Sequence, residues 1–261
     1  MNSITLVSCY YKIKSKRSHD EYNYYIHNLL YNIKGNLVIY TSSEEYEYLN
    51  ALRNNKNNIK LIIKNFDEIN LYKKYLNIME KQYELDNQKW TGRTFQCYIL
   101  WNSKLDFLKE TIEINPFKSN KFMWLDIGAI RTQDIVNYLN TFPNPENISY
   151  NKIDIVYLQP FSNINQKYFK DEVHLGGLYA GVIKVILKFH DLFYKKFQEY
   201  VDNNQFIGCD QQIISSVYLE NNDLFNLINP YNDNFTENNK IIPLQKNIDN
   251  WFYLIYFYSV I

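Results

Sequence analysis

Within its first 63 residues the chain alternates short β-branched, apolar runs with stretches of helical periodicity, and that alternation restricts the folds open to it more than any other feature. Residues 3–11 (SITLVSCYY), 37–41 (LVIYT) and 59–63 (IKLII) read as strands. Between the first two, Ser18-His19-Asp20-Glu21 has the Ser-x-x-Glu form of a capping box, and Tyr22, Ile26, Leu29 and Ile33 follow at helical spacing. This places a helix over 19–33, with Gly35 as its C-terminal stop. Ser42-Ser43-Glu44-Glu45 repeats the capping pattern and opens a second helix reaching Leu52. A β-α-β-α-β order with helical crossovers predicts an α/β fold, a mostly parallel sheet with helices on both faces and right-handed connections.

The segment 121–131, KFMWLDIGAIR, adds a central strand. Four apolar residues run straight into Asp126, the pattern of a strand covered on both faces. Ligands of such sheets sit beyond the carboxyl ends of the strands, so Asp126 stands where a charge would meet solvent and ligand. Gly128 permits close backbone approach. An ordinary Asp/Gly turn would read the same way. Upstream, 66–83 is helical. A long helix is expected over 93–114, because Tyr98, Trp101, Leu105, Leu108 and Ile112 form one apolar stripe. Arg93 and Lys104, about three turns apart, would share a face beside that stripe, either as solvated cations or as a pair aimed at one edge of the sheet.

Further on, a short helix is expected near 135–139, a strand at 153–158, and a glycine-rich strand at 173–181 (VHLGGLYAG). Its glycines suit either close packing or a backbone that meets a ligand. A helix over 182–200 follows, then Gly208-Cys209-Asp210-Gln211-Gln212 leading into a helix at 213–219. Asp210 there reads first as an N-cap. Residues 221–250 are Asn-rich and loop-like; edge strands are expected at 240–244 and 251–258, the apolar run 251–261 reading as a buried terminal strand or helix.

Lys+Arg and Asp+Glu each number 28, so no excess of positive charge argues for nucleic acid or anionic lipid. Cys9, Cys97 and Cys209 are widely spaced and odd in number, which argues against a disulfide framework or structural zinc. The N-terminus lacks a signal-peptide pattern, and the apolar run 251–261 is about half a membrane span, so a cytoplasmic protein without a span is expected. Asn147-Ile148-Ser149 and Asn234-Phe235-Thr236 match glycosylation acceptors only by chance on that view. No P-loop, dinucleotide fingerprint, nucleophile elbow or HExxH zinc motif occurs, and His19, His27, His174 and His190 lack ligand spacing. His190 reads as structural, and His174 is the histidine beside the double glycine.

Taken in order and spacing, GRTFQCYILWNSKLDFLKETIEINPF, KFMWLDIGAIR, HLGGLYAG and GCDQQ resemble the HtrL/YibB-like family, which is similar to glycosyltransferases of the GT-A fold. The resemblance covers about residues 4–230. It implies one Rossmann-like domain spanning 1–261, with a nucleotide-sugar-binding half at 1–131 and an acceptor half at 132–261. GT-A enzymes carry Asp-x-Asp at the end of a central strand. The matching positions here are Asp126 and Gly128, so the second carboxylate is missing, as is the late histidine that completes many such metal sites. The resemblance implies donor contacts from Cys9, Tyr10, Thr41, Arg93, Lys104, Asp126 and Gly128, and a divalent cation, Mn²⁺ or Mg²⁺, on Asp126. It further implies a sugar and acceptor pocket around His174, Gly176 and Gly177, and catalytic roles for Asp210 and Gln211.

The expected activity is transfer of a sugar from a nucleotide-diphosphate sugar, such as a UDP-sugar, to a hydroxyl of a glycan, protein or other acceptor. Breaking the sugar–diphosphate bond puts positive charge on the anomeric carbon and negative charge on the leaving phosphate, which cations or metal must stabilise. With one carboxylate fewer to hold a metal, Arg93, Lys104 or Arg131 would supply that charge directly. The missing metal ligands equally suit a module that binds nucleotide sugars without turnover. A nucleotidyltransferase would need a glycine in the basic loop 12–17, which has none.

Overall fold

A computed structural model of the chain describes residues 3–230, 236–237, 240–241 and 249–259. Its centre is a seven-stranded sheet built from β1 (Ile4–Tyr10), β2 (Asn36–Thr41), β3 (Ile59–Ile63), β4 (Lys121–Trp124), β5 (Ile153–Tyr157), β6 (Leu175–Val182) and β7 (Phe225–Ile228). The spatial order is β3-β2-β1-β4-β6-β5-β7. Strands β3, β2, β1 and β4 are parallel, β6 is antiparallel to both neighbours, and β7 runs parallel to β5. The sheet is thus mostly parallel, with one reversed strand between β4 and β5.

Every residue of β1 and β4 is buried, as continuous apolar runs at the middle of a covered sheet require. The helices are α1 (His19–Asn32), α2 (Ser43–Leu52), α3 (Asn70–Leu85), α4 (Phe95–Asn102), α5 (Lys104–Ile114), α6 (Gln133–Tyr138), α7 (Ile183–Asp202), α8 (Asp210–Glu220) and α9 (Tyr253–Phe257). The capping box of α1 is present: the Glu21 amide donates to Ser18 Oγ (3.2 Å) and the Ser18 amide to Glu21 Oε2 (2.9 Å). Helix α1 closes at Ile33 with extended backbone, so Gly35 is not a left-handed cap. A Cβ on Gly35 would lie 2.5 Å from Pro143 Cδ, so that glycine serves close packing.

Three expectations need correction. The long helix over 93–114 is two helices, broken at Ser103, whose hydroxyl turns back to the Ile99 carbonyl (2.7 Å). Arg93 lies before the first of them, so it and Lys104 do not share one helical face. Asp210 is the first helical residue of α8 and Cys209 occupies the N-cap. The stretch 221–250 contains β7, and 251–258, open to strand or helix from its sequence, is helical and not an edge strand. Lys240–Ile241 does form a strand, β9, but it pairs with β8 (Thr236–Glu237) in a separate two-stranded sheet. Residues 242–244 lie outside the described residues, as does Asn234 of the second glycosylation pattern. Among the described residues no helix is long and apolar enough to cross a membrane.

The C-terminal segment is tied down by polar contacts. The Tyr258 hydroxyl donates to Asp154 Oδ2 (2.7 Å), the Asn144 amide to the Tyr258 carbonyl (2.7 Å), and the Thr141 hydroxyl to the Ser259 carbonyl (2.7 Å). Asp154 is fully buried and also accepts from the Ser149 amide (2.9 Å) and Asn226 Nδ2 (2.9 Å). One carboxylate therefore joins β5, β7 and the chain's last described turn.

Candidate functional site

A cleft of about 350 Å³ opens beyond the carboxyl ends of β1 and β4, where an α/β sheet places its ligands. Its floor is a three-residue charge cluster. Lys104, at the first position of α5, sends Nζ to Asp126 Oδ1 (3.3 Å) and Asp210 Oδ2 (3.1 Å), and donates to the Gly177 carbonyl (3.2 Å). The Gly177 carbonyl takes the hydrogen bond, and the two carboxylates hold the ammonium as ion-pair partners. Asp126 Oδ1 also accepts from Trp124 Nε1 (2.7 Å), so the last residue of β4 orients the carboxylate two positions on. Lys104 and Asp210 are almost wholly buried, whereas the Asp126 side chain is 31% exposed toward the cleft.

Burial sets the electrostatics. Desolvation pushes the Asp210 carboxyl up to about 6, the nearby Lys104 ammonium opposing and Asp126 adding to the rise. Desolvation works against the Lys104 ammonium, but Asp126 and Asp210 outweigh it and hold its pKa above the ordinary lysine range. The Cys9 thiol is raised well beyond its usual value and Cys209 to about 11, both chiefly by burial, so neither offers a thiolate at neutral pH.

The residues expected at the site divide into two groups. Cys9, Tyr10, Arg93, Lys104, Asp126, Gly128, Asp210 and Gln211 all line the cleft. Gly177 lies against it from β6: a Cβ there would be 3.1 Å from Lys104 Nζ and 3.3 Å from Gln211 Nε2. Thr41, His174 and Gly176 are elsewhere. Thr41 is buried and donates to the Tyr10 carbonyl (2.9 Å). His174 stacks on Phe161 (ring centres 4.2 Å apart) with Nδ1 3.3 Å from the Gln159 carbonyl. Gly176 faces Val156, whose Cβ would lie 3.1 Å from an added methyl. Successive residues of a strand point to opposite faces, so one member of the double glycine reaches the cluster and the other does not. Gly128 lines the cleft, and its missing side chain makes room for Tyr22, whose Cε1 would be 3.0 Å from a Cβ. His190 bonds Asp106 and Asp191 (3.0 Å each), away from the cleft.

Arg131, expected as a source of positive charge, also lines the cleft, beside residues that had no signal in the sequence. Trp251 and Phe252 come from the C-terminal segment, and Arg131 stacks on Phe252 (4.5 Å to the ring centre) while pairing with Asp249 (3.5 Å). The basic loop 12–17 contributes Ile13, Ser15, Lys16 and Arg17.

The family model for HtrL_YibB, described as bacterial protein of unknown function, matches residues 2–236. The chain belongs to the HtrL_YibB family. No curated protein matches it by sequence. Among solved structures it is similar to the apo form of mouse xyloside xylosyltransferase 1, with 15% identity, a TM-score of 0.48, and coverage of 87% of this chain and 85% of that one.

The divalent cation implied by the GT-A resemblance does not fit the donor set found here. Asp126 Oδ1 is taken by Trp124 and Lys104, and among the described residues no three His, Cys, Asp or Glu side chains converge to hold a metal. A dication on Asp126 would also face an ammonium that its neighbours keep protonated. Two unit charges at ~4 Å repel by about 4 kcal/mol at an effective dielectric of ~20, and a dication doubles that.

Proposed function

We propose that this family member is a glycosyltransferase that binds a nucleotide-diphosphate sugar, such as a UDP-sugar, in the cleft beyond β1 and β4. The donor would lie on residues 1–131, and 132–261 would bring Asp210, Gln211 and Gly177 to the reacting sugar and its hydroxyl acceptor. The observation that carries this reading is the floor cluster: two carboxylates share one ammonium, so with both ionised the floor bears a net negative charge. Such a floor suits the positive charge that develops at the anomeric carbon. The sugar–oxygen bond breaks with its electron pair passing to the diphosphate. The acceptor oxygen bonds the anomeric carbon, and its proton passes to Asp210, whose raised pKa makes it a better base than an exposed aspartate. Lys104 holds both carboxylates in place.

The test is release of nucleoside diphosphate from a panel of UDP-, GDP- and ADP-sugars, with wild type against Asp210→Asn. Turnover of at least one donor, lowered by a factor of 10² or more in the variant, supports the reading. No binding of any nucleotide sugar would refute it. A second reading, binding without turnover, is favoured by one observation: Asp210 is only 2% exposed and already paired. Donor affinity unchanged in Asp210→Asn, with no turnover in either protein, would select it.

A further inference from the structure

The cations that line the cleft are not equally free. Lys104 is ion-paired with both Asp126 and Asp210 and donates to the Gly177 carbonyl. Arg17 pairs with Glu21 (2.8 Å) and Arg131 with Asp249 (3.5 Å). Among the described residues, the lining cations left without a carboxylate partner are Lys16 and Arg93. They come from segments far apart in sequence that the fold brings into contact. Gly92 adopts φ 91°, a left-handed conformation that side chains rarely accept. A Cβ there would lie 3.1 Å from the Ser15 carbonyl oxygen and 3.2 Å from Lys16 Cα. Two residues on, the Thr94 hydroxyl donates to the Lys14 carbonyl (3.2 Å), tying the loop before α4 to the loop after β1. Arg93 lies over the Trp101 ring (5.8 Å), which fixes its guanidinium without neutralising it. Its charge is felt at Cys209, the residue before Asp210.

We propose that Lys16 and Arg93 form a two-loop clamp for the diphosphate of a nucleoside-diphosphate ligand, and that this clamp binds without a divalent cation. A planar guanidinium engages two phosphate oxygens at once, and the lysine adds a compact charge beside it. The clamp supplies, from two touching loops, the positive charge that Lys104 does not offer because two carboxylates already neutralise it. It rests on the transferase reading for the ligand's identity only.

The experiment is titration calorimetry of the full chain in EDTA, with UDP and with inorganic pyrophosphate as probes, repeated with Mg²⁺ and Mn²⁺. The clamp predicts binding in EDTA that weakens about tenfold or more in Arg93→Gln and in Lys16→Gln. Gly92→Ala, which forces the two loops apart, weakens it too. Lys12→Gln removes a cation of the same loop that does not line the cleft, and should change affinity by less than about twofold. Circular dichroism checks that each variant is folded. Binding only with metal, wild-type affinity in the Arg93 and Lys16 variants, or no binding of either probe overturns the clamp. Metal-free, variant-sensitive pyrophosphate binding with no sugar transfer keeps the clamp and removes the transferase reading. Metal-dependent transfer indifferent to both variants does the reverse.

Discussion

Lys104 Nζ lies 3.1 Å from Asp210 Oδ2, and both side chains are almost wholly withdrawn from water. The contact joins the first residue of α5 to the first residue of α8, which lie 106 positions apart. Neither charge would be stable in such a place alone, and each is the other's reason for remaining ionised.

Removing the shared ammonium strands two carboxylates. Lys104→Met should destabilise the fold by about 3–5 kcal/mol, the usual cost of breaking a buried pair from one side. The double variant Lys104→Met/Asp210→Asn should recover at least half of that loss. Urea denaturation of the three proteins measures it, and a double variant no more stable than Lys104→Met would contradict the pairing.

Stability should also carry a pH signature of Asp210. Burial pushes its carboxyl up to about 6 in the folded protein, from 3.8 in water. Between those values the folded state holds more protons than the unfolded one, so this group's contribution is fully present below pH ~4 and is lost as pH rises through ~6. The shift corresponds to about 3 kcal/mol as an order of magnitude. Denaturation midpoints followed from pH 4 to 7 should fall less steeply in Asp210→Asn than in wild type. Parallel slopes would show that Asp210 titrates normally.

The two adjacent glycines should respond differently to one methyl group. Gly177→Ala puts a carbon 3.1 Å from Lys104 Nζ and 3.3 Å from Gln211 Nε2, so donor affinity or turnover should drop about tenfold. Gly176→Ala crowds Val156 on the other side of the strand, costing ~1–3 kcal/mol of stability while leaving affinity near wild type. Calorimetry paired with thermal melts separates the two outcomes; equal effects on binding would remove Gly177 from the site.

The C-terminal anchor gives a fourth test. Tyr258→Phe removes a hydroxyl that donates to the buried Asp154 carboxylate, and should cost about 1.5–3 kcal/mol, the range for a hydrogen bond to a charged group. Chemical denaturation reads the loss. A change under ~0.5 kcal/mol would mean the contact does not hold the segment in solution.

Much of the fold was legible because local chemistry and tertiary placement agree. Ser18 and Glu21 cap α1 as their spacing required, and the covered strands β1 and β4 announced themselves as unbroken apolar runs. The misreadings arose where tertiary contacts overrule local pattern. The apolar stripe from Tyr98 to Ile112 continues across Ser103, so periodicity hid a break that appears only in hydrogen bonding. Within the site, Asp126 and Gly177 were visible as a charge at a strand end and a glycine in an apolar run. Trp124 as the donor that orients Asp126 was not, because a tryptophan in a covered strand reads as core. Lys16 sat unremarked in a basic loop, since its place at the cleft depends on packing against Gly92, some 76 positions away, and sequence gives no measure of that distance.

The Arg131–Asp249 pair and the Phe252 ring beneath it mean that residues 249–252 supply a rim of the cleft. A substitution at Asp249 or Phe252 would therefore reshape the mouth through which any ligand enters, without touching the charge cluster on the floor.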